Sequence, residues 1–316
     1  MPQQANQALP AGYVLNGYRI EKPLSSGGFS IVYLARDESG TPFAIKEYLP
    51  ASLPLRDESL EIKLNEESTP VFRHGLKCFF EEGRALAMIT HPNVVRVENF
   101  FRANDTCYMV MQYVRGRTLQ FHIQRHRHEF TEGFIRKIFI HLMNGLREVH
   151  ANKLLHLDIK PANVFIAMEG RPVLLDFGAA RITLSEEITK LKPMYTAGFA
   201  APEHYRFDPQ ELGPWSDIYS VGATLYTCIS GTPPQAGDQR EEKDKMIPLR
   251  TLAKSGWSDE IIGIVNDCLE LDWLKRPQTA FDLQKRLMAG VAEDDKDHKP
   301  GFLETLNKPL SKLFSR

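Results

Sequence analysis

Residues 154–166 read LLHLDIKPANVFI. Apolar Leu154 and Leu155 open the stretch, His156, Asp158, Lys160 and Asn163 form its polar middle, and Val164, Phe165 and Ile166 close it. The pattern predicts strand, loop, strand. An aspartate, a lysine and an asparagine crowded into one short loop are more than a turn requires, and Leu157, without charge, stands directly before the aspartate.

Upstream of this stretch the chain reads mainly as strands. YRIEKPL from Tyr18, SIVYLARD from Ser30 and FAIKEYL from Phe43 alternate or run apolar between turn residues, which predicts an antiparallel sheet. A polar insert punctuated by Pro50, Pro54 and Pro70 follows. Then Leu76, Phe79, Phe80, Leu86 and Ile89 recur at helical spacing, and VVRVENFFRA and CYMVMQYV add two strands. Downstream of Gly116 the stripes are mostly helical: RKIFIHLMNGLREVHA, SDIYSVGATLYTCIS, DEIIGIVNDCLEL and TAFDLQKRLMAG. Strands first and helices later predict an α+β chain of two lobes joined near Gln112 to Gly116.

The expected organisation is a flexible tail over 1–16, a domain over 17–288 with lobes 17–112 and 117–288, a charged linker over 289–301 and an amphipathic segment over 302–316. A chain of 316 residues exceeds the usual single core, which fits two lobes. A formal net charge of −1 gives no basic field for nucleic acid, so no nucleic-acid partner is expected. Cys78, Cys107, Cys228 and Cys268 are scattered and form no CxxC pair, which argues against a zinc site or a disulfide framework and for a reducing cytoplasm. No export signal or membrane-length apolar run is evident.

Gly27 and Gly28 lie between two strands in LSSGGFSIV, and such a turn lets backbone N–H groups approach phosphate oxygens. Against the pattern G-x-G-x-x-G, Ser25 and Ser30 occupy the outer glycine positions, so only Gly27 matches, and a structural hairpin explains the segment equally well. Lys46 in FAIK changes the balance. An ammonium inside an apolar strand needs an anionic partner, and Glu82 on the following helix is placed to hold it while it binds nucleotide phosphates.

FAIK at 43–46, HLDIKPAN at 156–163, DFG at 176–178 and APE at 201–203 stand in one order, and together they resemble eukaryotic-like (Hanks-type) protein serine/threonine kinases, in particular short bacterial members. The similarity runs from about Tyr18 to Met288 and implies a bilobal kinase fold, ATP and Mg²⁺ as cofactors, and proteins phosphorylated on Ser or Thr as partners. It implies Asp158 as the base that accepts the substrate hydroxyl proton, Lys160 as stabiliser of the transferring phosphoryl group, Thr196 as their support, and Asn163 and Asp176 as Mg²⁺ ligands. Lys46 and Glu82 complete the catalytic set. The nucleotide would lie against Leu24, Ser25, Ser26, Gly27, Gly28, Phe29, Ser30, Val32, Ala44 and Phe165, with Met111 as gatekeeper and Gln112 and Val114 bonding the adenine edge. Asp217 would tie the catalytic loop to a buried helix, and Arg276 would pair with Glu203.

Three departures or additions matter. Leu157 replaces the arginine that many family members carry before the catalytic aspartate, which implies a non-RD enzyme weakly dependent on activation-segment phosphate. The stretch between Lys46 and Glu82 is longer than in most members and is placed to bias the active state. The segment 302–316 gathers Phe302, Leu303, Leu306, Leu310, Leu313 and Phe314 on one side, which suggests docking to a membrane surface, a partner or the kinase domain itself. His122, His126 and His128 read as a solvated basic helix face. A signalling kinase capable of autophosphorylation is the leading function. A pseudokinase scaffold is its rival, and a small-molecule phosphotransferase is a second one that TAGFAAPE, Asp217 and Arg276 argue against.

Overall fold

A computed structural model of the chain describes residues 6–53, 56, 60, 62–177, 196–206, 210–253 and 255–289. They fall into two compact units, one built from the chain up to Thr90 with Val95–Val114, the other from His91–Val94 and the described residues from Arg115 onward.

Among its described residues, the first unit is a six-stranded antiparallel sheet with one helix. Its strands are β1 (Val14–Leu15), β2 (Tyr18–Ser26), β3 (Ser30–Arg36), β4 (Pro42–Tyr48), β5 (Val97–Ala103) and β6 (Thr106–Gln112), in spatial order β1-β2-β3-β4-β6-β5. Register pairs Val32 with Lys46 and Lys46 with Met109, and pairs Ile31 with Glu47 and Glu47 with Tyr108. Because side chains alternate along a strand, Val32, Ala44, Lys46 and Met111 share one face, while Ile31, Tyr33, Ile45, Glu47 and Tyr108 share the other. Helix α1 (Ser68–Ala87) packs Phe72 and Phe79 against Tyr48, and does so closely because two of its residues are glycines. A Cβ on Gly75 would lie 1.9 Å from the Tyr48 hydroxyl, and one on Gly83 would lie 2.6 Å from the Phe100 ring.

The expected flexible tail does not hold for residues 6–15. Leu9 and Leu15 are buried, Leu9 donates its N–H to the Tyr33 hydroxyl (3.1 Å), and Asn6 bonds the carbonyls of Pro50 and Leu53. A run of Gln, Ala and Pro carries no periodic signal, yet burial against another segment orders it without one. Residues 1–5 lie outside the described set.

The second unit contains α2 (Leu119–His126), α3 (Glu132–Ala151), α4 (Pro202–Arg206), α5 (Pro214–Ser230), α6 (Gly237–Glu242), α7 (Leu249–Leu252), α8 (Asp259–Cys268) and α9 (Ala280–Ala289) among its described residues. A three-stranded sheet joins them: β7 (Gly116–Thr118), β8 (Val164–Ala167) and β9 (Pro172–Leu174). Helix α5 is buried from Ser216 through Ile229 on every side, as its all-round apolar sequence requires. His91–Val94 belong here because Asn93 accepts from Leu174 N (2.8 Å) and gives its amide to Pro172 O (2.7 Å).

Two expectations are corrected in this unit. Leu154 and Leu155 are buried but form no strand, since both edges of β8 are already taken by β7 and β9 and the neighbouring amides are drawn to α5. His122 is buried in α2 instead of facing solvent, and burial pulls its imidazole down to about 4, so it is neutral at pH 7. The more exposed His126 and His128 both have Glu129 as a charged neighbour, at 3.0 and 3.6 Å. Helix α9 also extends to Ala289, the first residue of the expected linker; 290–316 lie outside the described residues.

Candidate active site

In the first unit, Lys46 is held by β4 with 7% of its surface exposed, and its Nζ donates to Glu82 Oε1 at 3.0 Å. Glu82 is itself 3% exposed, so each charge needs the other. The glycine turn connects β2 to β3, closed by Gly27 N to Ser30 O (2.9 Å). Leu24 sits at an irregularity in β2 and is exposed, as are Ser25, Ser26 and Phe29. Gly28 and Ser30 are half-buried. Val32, Ala44 and Met111, all half-buried, lie on the Lys46 face, and β6 ends at Gln112 with Val114 just beyond. Phe165 belongs to the second unit, on β8.

The second unit gathers Lys160, Asn163 and Thr196 around the carboxylate of Asp158. Lys160 Nζ donates to Asp158 Oδ1 (2.9 Å), Asp158 Oδ2 (2.7 Å) and Thr196 Oγ1 (2.7 Å). Thr196 Oγ1 donates to Asp158 Oδ1 (3.1 Å). Asn163 spends its amide NH₂ on Asp158, at the carbonyl (2.9 Å) and at Oδ2 (2.8 Å), which leaves Oδ1 as an acceptor for another group. The sequence brings these groups together because the loop turns back between Asp158 and Asn163, and Asn163 O then accepts Leu175 N (2.8 Å), one residue before Asp176. Asp176 has φ of 56°, a left-handed conformation uncommon outside glycine. Gly178, the last residue of DFG, lies outside the described residues.

Behind the loop stands Asp217, fully buried on α5. It accepts His156 N (2.9 Å), Leu157 N (2.7 Å) and the His150 imidazole (2.8 Å). Burial alone would raise this carboxyl, but those hydrogen bonds, His150 first, hold it below the usual range. The His156 ring accepts Asp158 N at Nδ1 (3.3 Å), so its Nε2 carries the proton that meets Leu175 O (3.1 Å). One neutral tautomer thus links the two aspartate-bearing segments. Further along, Arg276 forks onto Glu203 at 2.7 and 3.1 Å, with both side chains fully buried. Burial raises the Glu203 carboxyl, and the guanidinium more than offsets this, holding it below its ordinary value.

His150 is a position the sequence pattern does not single out, because a lone histidine on a helix carries no spacing signal; His156 stands in the quoted loop, but the sequence assigns it no partner. Glu47 is different. It follows Lys46 in the same apolar strand, and the reasoning that demands a partner for Lys46 demands one for Glu47, on the opposite face; the partner is Arg56, at 2.5 Å.

The model of the protein kinase domain family matches residues 18–288. Serine/threonine-protein kinase B of Synechocystis sp. is 28% identical over 305 residues, covering 92% of this chain and 50% of that protein. Serine/threonine-protein kinase pkn2 of Myxococcus xanthus is 30% identical over 296 residues, covering 89% of this chain and 33% of that protein. The chain therefore spans half or less of the length of these relatives. A solved structure described as PpkA-294 apo form superposes with a TM-score of 0.79 at 37% identity, covering 89% of this chain and 99% of that one.

Proposed function

We propose, from the premise that this chain belongs to the protein kinase family and has its fold, that it transfers the γ-phosphoryl group of ATP to serine or threonine hydroxyls of proteins. The observation that carries this reading is the network in which Lys160, Thr196 and Asn163 all converge on the Asp158 carboxylate. A carboxylate used only for structure has no need of a partly exposed lysine shared with a threonine 36 residues away.

Phosphoryl transfer asks the protein for positioning and charge compensation more than for covalent chemistry. Asp158 would accept the substrate hydroxyl proton on a carboxylate oxygen, and Thr196 and Lys160 hold that carboxylate in one orientation. Lys160 Nζ would release part of its bond to Asp158 to meet the transferred group. Lys46, kept charged by Glu82, would hold the α- and β-phosphates, with the glycine turn over them. In the first unit, Val32, Ala44, Met111 and Leu24 would take the adenine, with Gln112 and Val114 at its edge. For the metal, Asn163 Oδ1 and the Asp176 carboxylate offer the hard oxygen donors that Mg²⁺ prefers. Bound there, Mg²⁺ supplies neutralisation of phosphate charge.

The proposal extends to a non-RD enzyme with a signalling role that phosphorylates itself, since Leu157 supplies no cation for an activation-segment phosphate to satisfy. Among the described residues no helix is long and apolar enough to cross a membrane. The docking role proposed for 302–316 lies outside the described residues. Incubating the protein with γ-labelled ATP, Mg²⁺ and a generic protein substrate, followed by phosphoamino-acid analysis, tests the function. Label on serine and threonine supports it, whereas nucleotide binding without transfer favours a pseudokinase scaffold.

A further inference from the structure

The face of the first unit's sheet opposite Lys46 carries a buried charge that phosphoryl transfer does not use. Glu47 is 0% exposed and receives four bonds: from the Tyr33 hydroxyl (2.7 Å), the Tyr108 hydroxyl (2.5 Å) and the two terminal nitrogens of Arg56 (2.5 and 3.0 Å). Burial and the Glu47 charge push both tyrosine hydroxyls up, so they remain donors. Tyr33 and Tyr108 come from the strands flanking β4, but Arg56 comes from the insert that leads from β4 to α1.

Arg56 is anchored at its backbone as well. Its N–H donates to Asn6 Oδ1 (2.8 Å), and the same Asn6 gives its amide to Pro50 O and Leu53 O (3.1 and 2.9 Å). The start of the insert in turn touches the glycine turn: Leu49 N donates to Phe29 O (2.9 Å) and Ala51 N to Gly28 O (2.8 Å). Thus one segment grips the strand of Lys46 through Arg56, braces the glycine turn through Leu49 and Ala51, and continues into the helix that carries Glu82.

We propose that Arg56 is a positioning residue for nucleotide binding: paired with Glu47, it fixes the insert so that the glycine turn and Lys46 are held in the geometry that receives phosphates. This rests on the kinase reading above. Guanidinium suits the task because its planar fork engages both carboxylate oxygens at once, which sets direction as well as distance. Lys46 and Glu47 are neighbours in one strand, so a shift of Glu47 carries Lys46 with it.

The test uses the full chain, a fluorescent ATP analogue with Mg²⁺ for binding, initial rates for KM and kcat, and thermal melts to confirm folding. Loss of analogue binding in Lys46→Met but not in wild type establishes the nucleotide site; absence of binding by wild type overturns the kinase reading itself and this proposal with it. Given a working site, Arg56→Met is expected to raise KM for ATP about fivefold or more while kcat falls less than about threefold, the signature of lost phosphate binding remote from the reacting bond. Arg56→Lys, which keeps a cation beside Glu47 but lacks the fork, is expected to give a KM between those of wild type and Arg56→Met. Should Arg56→Met fail to fold, Asn6→Ala decides, since it loosens the same segment without stranding a buried charge and is expected to raise KM about two- to threefold. A folded Arg56→Met, or an Asn6→Ala, with a lower melting temperature but wild-type KM shows that the cluster is purely structural and overturns the proposal.

Discussion

Leu157 has two properties that bear on the same aspartate. Its φ of 57° is a strained choice for a leucine, maintained because Asp217 takes its N–H and because its side chain is 2% exposed. Having no charge, Leu157 supplies no cation to an activation-segment phosphate, which is the basis of the non-RD reading proposed above. The loop is therefore set by α5, and alanine at Thr183, Ser185 and Thr189 together, all outside the described residues, should lower initial rates less than about tenfold, or about 1.4 kcal/mol. Rates of the phosphatase-treated triple variant and wild type check this, and near-total loss restored by phosphate on the segment would assign the arginine's role to Lys190 or Lys192, which also lie outside the described residues. Thr196→Ala should behave oppositely. It removes a bond to Asp158 and one from Lys160, and turnover should fall by roughly 10² or more with ATP binding little changed. Initial rates at saturating ATP read the difference.

Among the elements, α1 is where packing and function meet, because Glu82 reaches Lys46 only if the helix lies close to β4. Gly75→Ala would put a methyl against Tyr48, whose ring is already flanked by Phe72 and Phe79 at 5.2 and 5.8 Å. The expected cost is about 1–3 kcal/mol of stability, read by denaturant melts, together with weaker nucleotide binding. Such elements were legible in advance when their residues repeat at a fixed period: β3, β4 and α5 declare themselves by alternation or by an all-round apolar stripe. Asp217 and Arg276 were legible through the kinase resemblance, and their pairing follows from burial, since a buried charge must be paired. What stayed hidden depended on distant chain. Residues 6–15 are ordered by Tyr33 and the insert, Leu154 and Leu155 lose their strand because β8 has no free edge, and His122 is buried by contacts that spacing does not encode.

For the molecule as a whole, two buried carboxylates should govern acid stability. Glu203 and Asp217 both have folded pKa values below their ordinary values of about 4. A group depressed in the folded state adds stability that is complete above its unfolded pKa and is lost as pH falls through the folded one. His122 and His204, whose imidazoles burial depresses, weaken the fold as pH falls below the ordinary histidine value of about 6.5. The second unit should therefore lose stability gradually from about pH 6 and unfold only once Glu203 and Asp217 also protonate, below about pH 4. All three tryptophans, Trp215, Trp257 and Trp273, lie in that unit, so intrinsic fluorescence against pH reads it directly, and a transition above pH 5 would contradict the assignment. In the proposed reaction Asp158 accepts the hydroxyl proton, while Lys46 and the residues around it hold the nucleotide. The most direct measurement compares wild type with Asp158→Asn for both phosphotransfer and ATP-analogue binding. The account predicts turnover lowered by roughly 10² to 10⁴ with the binding constant little changed. A variant that phosphorylates at a near-wild-type rate would contradict it.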